Sequence, residues 1–187
     1  MFIDKYNLER NLLMHMQQTS KYTELLAEFM NFDKVDIEEM KKGAMLHDIG
    51  KKRIPEKILN KKEKLSIEEF ETIKQHPKLG IKELHQIDMS MVVVNIILYH
   101  HEKWNGQGYP SGLIGNEIPI EARIVSVADC YNALLTSTRP YKRAFTHEEA
   151  LEVLRDESGK SFDPYIVAIF EVFEDKIKLA FQTKWEN

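Results

Sequence analysis

The sequence predicts an all-α fold, a single helical-bundle domain over residues 1–187. Three observations carry that reading. Apolar residues recur at three- and four-residue spacing along most of the chain, the period of an amphipathic helix. Serine, threonine and aspartate stand where successive helices would begin, the serine and the threonine in capping boxes with a glutamate three residues on. No repeat, low-complexity segment or linker divides a length that suits one sizeable domain.

Taken in order, Leu8–Thr19 and Tyr22–Met30 form the first two expected helices, with Leu8 and Leu12, then Leu25, Leu26 and Phe29, on their apolar faces. Asp36 is placed to cap a third through Met40, Ala44 and Leu46, which Gly50 can end. Ser66 and Glu69 make a capping box for the next, which should break near His76 because Pro77 follows. Pro77 can then open another helix toward Leu84. Asp88–Tyr99 follows; its valines at 92–94 have strand propensity, but their length and setting favour a buried helix. Ile120–Leu135, Thr146–Leu154 with Thr146 and Glu149 as a capping box, and Pro164–Phe181 with Asp163 as cap complete the set. A glycine-bearing loop, Lys103–Glu117, interrupts them. The eight methionines are expected to fill the core.

Composition narrows the function. Hydrophobic residues are 43% and charged residues 30%, ordinary for a globular protein. A net charge of −4 argues against a nucleic-acid polymer or a membrane surface as partner, so an anionic ligand needs a local basic cluster. Between Lys51 and Lys64 there are seven Lys/Arg against two Glu, most of them expected on a solvated surface. The one cysteine, Cys130, excludes an intrachain disulfide and fits a reducing compartment. The longest apolar run, Met91–Tyr99, is broken by Asn95 and too short to span a bilayer. The reading is cytoplasmic.

The seven histidines are the informative residues. His47 is followed directly by Asp48 at an expected helix end, His76 stands before Pro77, and His100 and His101 are adjacent. Imidazole and carboxylate ligands together suit iron and manganese, with zinc, cobalt and nickel also chemically acceptable. Asp48 has two carboxylate oxygens and can bridge two ions. Asp129 follows an apolar helical stretch and needs a cationic partner if buried. A single histidine on a helix usually packs or caps; the set taken together points to metal. His85 and His147 fall outside the pattern and are expected at the surface.

The stretches HDIGK, HHEKWNGQGYPSGL, EARIVSVADCYNALL, RPYK and FDP occur in the order and rough spacing of one family. Over about His15 to Phe170 the chain resembles the HD-GYP family, a branch of the HD-superfamily metal-dependent phosphohydrolases. That resemblance implies a helical domain with a Gly-rich GYP loop and a centre of two or three divalent ions, for which iron or manganese is the expectation. By position the ligands would be His15, His47, Asp48, His76, His100, His101 and Asp129, with Asp48 bridging. The implied substrate is cyclic di-GMP, opened to linear pGpG and in many members on to GMP. Metal coordination lowers the pKa of water from 15.7 toward about 7, so hydroxide held between the ions can attack phosphorus at neutral pH. Asp48 and Lys51 would be the catalytic residues, and Lys51, Arg139 and Lys142 would meet phosphate. Tyr109 or Trp104 could stack on a base, could anchor the loop, or could form a docking surface for a diguanylate cyclase domain.

The chain departs from the family's pattern at several places. Asn11 stands where three-metal members have glutamate, so two ions are expected, and Asn11 and His15, four apart, should share one helix face. Asn105 and Asn132 stand where aspartate is common, Lys52-Arg53 follow HDIGK, and the segment before RPYK is one residue longer. Two readings stay open: a phosphodiesterase for cyclic di-GMP or a related nucleotide, and a weakly active metal-binding module that works through its GYP loop.

Overall fold

The computed structural model describes residues 9–136 and 143–182. Helices α1 (Arg10–Phe29), α2 (Lys34–Leu46), α6 (Met91–Tyr99) and α7 (Ile120–Leu135) form the central bundle. Between α2 and α6 run a 3₁₀ turn (Ile49–Arg53) and the short helices α3 (Glu56–Leu59), α4 (Ile67–Ile73) and α5 (His76–Glu83). Beyond α7, helices α8 (His147–Asp156), α9 (Pro164–Val172) and α10 (Glu174–Gln182) cover its outer side. Among the described residues there is no strand, only two isolated bridges.

The local signals explain most boundaries. Ser66 and Thr146 each accept from the backbone N–H three residues on while the glutamate there returns the bond, and α7 spans the expected residues. The first two expected helices are one: no glycine or proline separates them, and Ser20 turns inward, its hydroxyl donating to the Lys41 carbonyl 3.0 Å away. Asp33, not Asp36, caps α2, accepting from the amides of Val35 and Asp36 at 2.9 Å each. The helix ends at Leu46, before Gly50. The sixth helix begins at Met91, capped by Ser90, so Asp88 lies outside it. The last expected helix breaks at Phe173 into α9 and α10. Asp163 caps α9 as expected and also pairs with Arg123 at 2.5 Å, tying α9 to α7.

One large apolar cluster joins Tyr22, Leu26, Met40, Ile124, Tyr131 and Phe170 across α1, α2, α7 and α9. A smaller one, with Met16, Leu46, Ile49, Leu84 and Ile97, lies beneath the 3₁₀ turn. Met16 and Met40 are buried, but Met91 is 69% exposed, so methionine is not uniformly core. His85 is at the surface as expected, whereas His147 is half-buried and bonded at 2.7 Å to the Tyr131 hydroxyl, joining α8 to α7.

Candidate metal centre

Six segments converge where the two clusters meet. α1 brings His15, the end of α2 brings His47, and the following turn brings Asp48 and Lys51. The first residue of α5 is His76, α6 ends into His100 and His101, and α7 brings Asp129. Gly50 makes the convergence feasible: a Cβ there would lie 2.0 Å from the His76 carbonyl oxygen and 2.5 Å from the Gly80 amide nitrogen. Only a residue without a side chain lets α5 lie directly on the turn.

Asp48 sits between two groups of histidines. Its Oδ1 is 3.3 Å from His76 Nε2 and 3.9 Å from His100 Nε2, and its Oδ2 is 3.4 Å from His47 Nε2. Ligand atoms of Asp48, His76, His100 and His101 all lie within 4.8 Å of one another, as do those of His15, His47 and Asp48. Asp129 Oδ1 borders the second group, 2.7 Å from His15 Nε2 and 3.4 Å from His47 Nε2. Lys51 Nζ donates to Asp48 Oδ2 at 2.5 Å.

The donor set fits metal ions on grounds independent of spacing. Asp48 Oδ1 and His47 Nε2 are buried polar atoms with no hydrogen-bond partner, an expensive arrangement unless something cationic meets them. The other ring nitrogen is satisfied by backbone. His47 Nδ1 reaches Ala44 O at 2.7 Å, His76 Nδ1 reaches Ile73 O at 2.8 Å, and His100 Nδ1 reaches Ile96 O at 3.0 Å. A carbonyl can only accept, so each Nδ1 carries a proton and Nε2 is the nitrogen left to face the centre.

The charges are arranged to match. Burial holds His76 below its ordinary pKa, His100 well below it and His101 at about 3, so all three are neutral imidazoles. Burial also opposes charge on His47, but the Asp48 and Asp129 carboxylates overcome it and raise that pKa to about 10. Asp48, despite its burial, is held well below the carboxylate range by Lys51 and His47, and Asp129 likewise by His15 and His47. Cys130, beside Asp129, has its thiol pushed up to about 12 by burial and is inert.

The glycine-rich loop closes one side. Glu102, 2% exposed, accepts from the amides of Ser111 at 2.7 Å, Gly112 at 3.1 Å and Leu113 at 3.1 Å. Gly108 lies flush on the chain that leads from the histidines; a Cβ there would be 2.4 Å from Glu102 Cα. The loop thereby sets the Tyr109 ring on His101, centroids 4.8 Å apart and planes at 29°. Lys74 Nζ is 5.8 Å from the centroid of the same ring. Trp104 anchors the loop: its amide donates to Ser161 O at 3.2 Å and the Arg123 guanidinium lies 5.6 Å from its ring.

The site residues read from sequence are thus brought together, with Tyr109 packed against a histidine of the centre. Arg139 and Lys142 lie outside the described residues. Glu102 and Lys74 escaped the sequence reading; the only signal for Glu102 was a carboxylate directly after the histidine pair. A cavity of about 360 Å³ lined by Asn11, His15, Lys51, Asn60 and Asp129 opens on one side of the centre. A second of about 300 Å³, lined by His100, His101, Lys103, Asp129 and Glu157, opens on another. A third, about 1040 Å³, is a mostly apolar groove between α2 and residues 87–90. It contains none of these histidines, whereas His15, His100 and His101 line the smaller two.

The profile of the HD domain family matches residues 3–166. The chain is 40% identical over 177 residues to a cyclic di-GMP phosphodiesterase of Vibrio cholerae serotype O1, covering 87% of this chain and 36% of that protein. It is 36% identical over 157 residues to a 3'3'-cGAMP-specific phosphodiesterase of the same organism, covering 83% of this chain and 30% of that protein. Among solved structures it resembles an HDG"Y"P protein of Bdellovibrio bacteriovorus, with a TM-score of 0.70 and 25% identity over 90% of this chain and 55% of that one. The chain therefore spans about a third of the length of these two curated relatives.

Proposed function

The chain belongs to the HD domain family, in its HD-GYP branch, and from that premise we propose that residues 1–187 form a phosphodiesterase domain that hydrolyses cyclic di-GMP with two divalent ions. One observation carries this reading: the buried Asp48 carboxylate turns one oxygen toward His76, His100 and His101 and the other toward His47. His15, His47, Asp48 and Asp129 would hold one ion, and Asp48, His76, His100 and His101 the other. When bound, the ions would activate water and polarise a phosphoryl oxygen. Iron or manganese suits this mixture of imidazole and carboxylate.

The protein's own groups then have distinct tasks. Lys51 neutralises Asp48 and faces the cavity lined by His15 and Asn60, where its ammonium can turn to a phosphate oxygen. Arg139 and Lys142 would supply further phosphate contacts. Tyr109 gives one face to His101, which holds that imidazole in place, and its exposed part would border a base. In the reaction a P–O bond to the water oxygen forms, the bond to a 3′-oxygen breaks, and that oxygen takes a proton, leaving linear pGpG. The orphaned atoms at Asp48 and His47 support metal binding, which both readings share; Lys51 beside the Asp48 carboxylate, placed to meet a phosphate, favours the enzyme over the weakly active module. Among the described residues no helix is long and apolar enough to cross a membrane. We place the domain in the cytoplasm, where a cyclase domain could be its partner.

The decisive experiment incubates the metal-loaded chain with cyclic di-GMP and, separately, 3'3'-cGAMP, and reads the products by chromatography. Linear pGpG formed only with metal, and faster than the cGAMP product, is expected. No turnover of either nucleotide by protein carrying two ions would overturn the proposal.

A further inference from the structure

The cavity beside His15 and Lys51 has two walls of different origin. One is a face at the start of α1, where Glu9, Leu12 and His15, three residues apart, lie in line. At 1.5 Å per residue, Glu9 stands about 9 Å along the axis from His15, at the end away from the centre. The other wall is the chain after the 3₁₀ turn, with Ile54, Leu59 and Asn60. Helix α3 lies in this stretch and buries none of its residues, so it lines the cleft without building the core. Leu12, Ile54 and Leu59 give the cleft apolar sides, suited to the faces of a flat ring.

At the outer end the two walls meet. Asn60 Nδ2 approaches Glu9 Oε1 at 3.5 Å, and because a carboxylate only accepts, the NH₂ is the end of the amide that faces it. That distance is long for such a bond, so the exposed pair is weakly held and both groups can turn to a ligand. Side by side they present a donor and a two-oxygen acceptor. The Watson–Crick edge of guanine presents the complement, with O6 accepting and N1–H and N2–H donating from adjoining positions. Two donors on one edge suit the two oxygens of a carboxylate. Adenine has a single donor group on that edge and makes one bond fewer.

Resting on the phosphodiesterase reading above, we propose that this cleft is a guanine subsite: Glu9 receives N1–H and N2–H of one base, the Asn60 amide donates to O6, and Leu12 and Leu59 cover the faces of the ring. With a phosphate at Lys51, the cleft leads outward from the scissile group, and the attached nucleoside enters it. Its volume of about 360 Å³ is at the small end of ligand pockets, roughly 300–1,000 Å³, and suits one nucleoside rather than a whole cyclic dinucleotide. The second base is left to the Tyr109 side. Glu9 and Asn60 thereby determine specificity from a position away from the reacting atoms.

The test compares the metal-loaded full chain with Glu9→Gln, which keeps the shape but sets a donor against the donors of guanine. The substrates are cyclic di-GMP, cyclic di-AMP and bis(p-nitrophenyl) phosphate, which has no base. Wild type is expected to favour cyclic di-GMP over cyclic di-AMP in kcat/KM by about 10-fold or more. In Glu9→Gln the kcat/KM for cyclic di-GMP, taken relative to that for bis(p-nitrophenyl) phosphate, should fall about 10- to 100-fold. The loss should lie in KM, and the preference over cyclic di-AMP should shrink with it. A fall shared equally by the base-free substrate, or no fall, would overturn the subsite and leave the phosphodiesterase reading standing. Equal use of the two cyclic dinucleotides by wild type would do the same. Cleavage of bis(p-nitrophenyl) phosphate alone by wild type would remove both.

Discussion

The two halves of the centre share Asp48 but are built on different principles. The His76 half is fixed by the main chain: backbone carbonyls hold the Nδ1 protons of His76 and His100, and burial keeps the three imidazoles uncharged. In the His15 half His47 has such a carbonyl too, Ala44 O, but His15 is held by side chains alone, with Asn132 and Asp129 at its two ring nitrogens. A ligand set by backbone is hard to retune without disturbing the fold. One set by side chains can be altered by a single substitution. The centre thus combines a rigid half with an adjustable one.

The largest expected effect abolishes the comparison. Asp48→Ala removes the carboxylate both halves share, so elemental analysis should find both ions lost and hydrolysis reduced about 1,000-fold or more. Retention of one ion would show that the halves are independent. Gly50→Ala should damage only the rigid half, because its methyl would collide with the His76 carbonyl. A lowered melting temperature, a stability loss of about 1–3 kcal/mol and loss of one ion are expected.

Glu102→Gln sharpens the contrast. It should loosen the loop that sets Tyr109 on His101, costing about 1–3 kcal/mol in urea denaturation and lowering turnover while both ions stay bound. Thr146→Ala lies outside both halves, in the cap of α8. It should cost about 1 kcal/mol and leave metal content and turnover unchanged, which the same melts and assays would check.

What the sequence disclosed follows from the range of each interaction. Caps and helix period act over three or four residues, so α7 and the boxes at Ser66 and Thr146 could be read directly. The split of α1 into two misled because Ser20 and Lys21 resemble a break, whereas Ser20 is absorbed by a bond to α2, which the sequence does not display. Asp33 and Asp36 both fit a cap by type, and only the path of the chain from Phe32 chose between them. The histidines and Asp48 could be picked out by motif. Glu102 could not, since its partners lie nine to eleven residues on and are backbone amides without sequence identity. The contact of Asn132 with His15 reaches across 117 residues and had no local signal.

The glycine-rich loop carries one more consequence. Glycines at positive φ, Gly106, Gly112 and Gly115, give an unfolded segment many states to lose on ordering. Here Glu102, Ser161 and Lys160 have already claimed its amides at 104, 105 and 111–113. In hydrogen-exchange terms this surface loop belongs with the bundle: those five amides should open only in larger, rarer fluctuations than its exposure would imply. The entropic charge for shaping it is met when the protein folds, so whatever meets the loop encounters a finished surface.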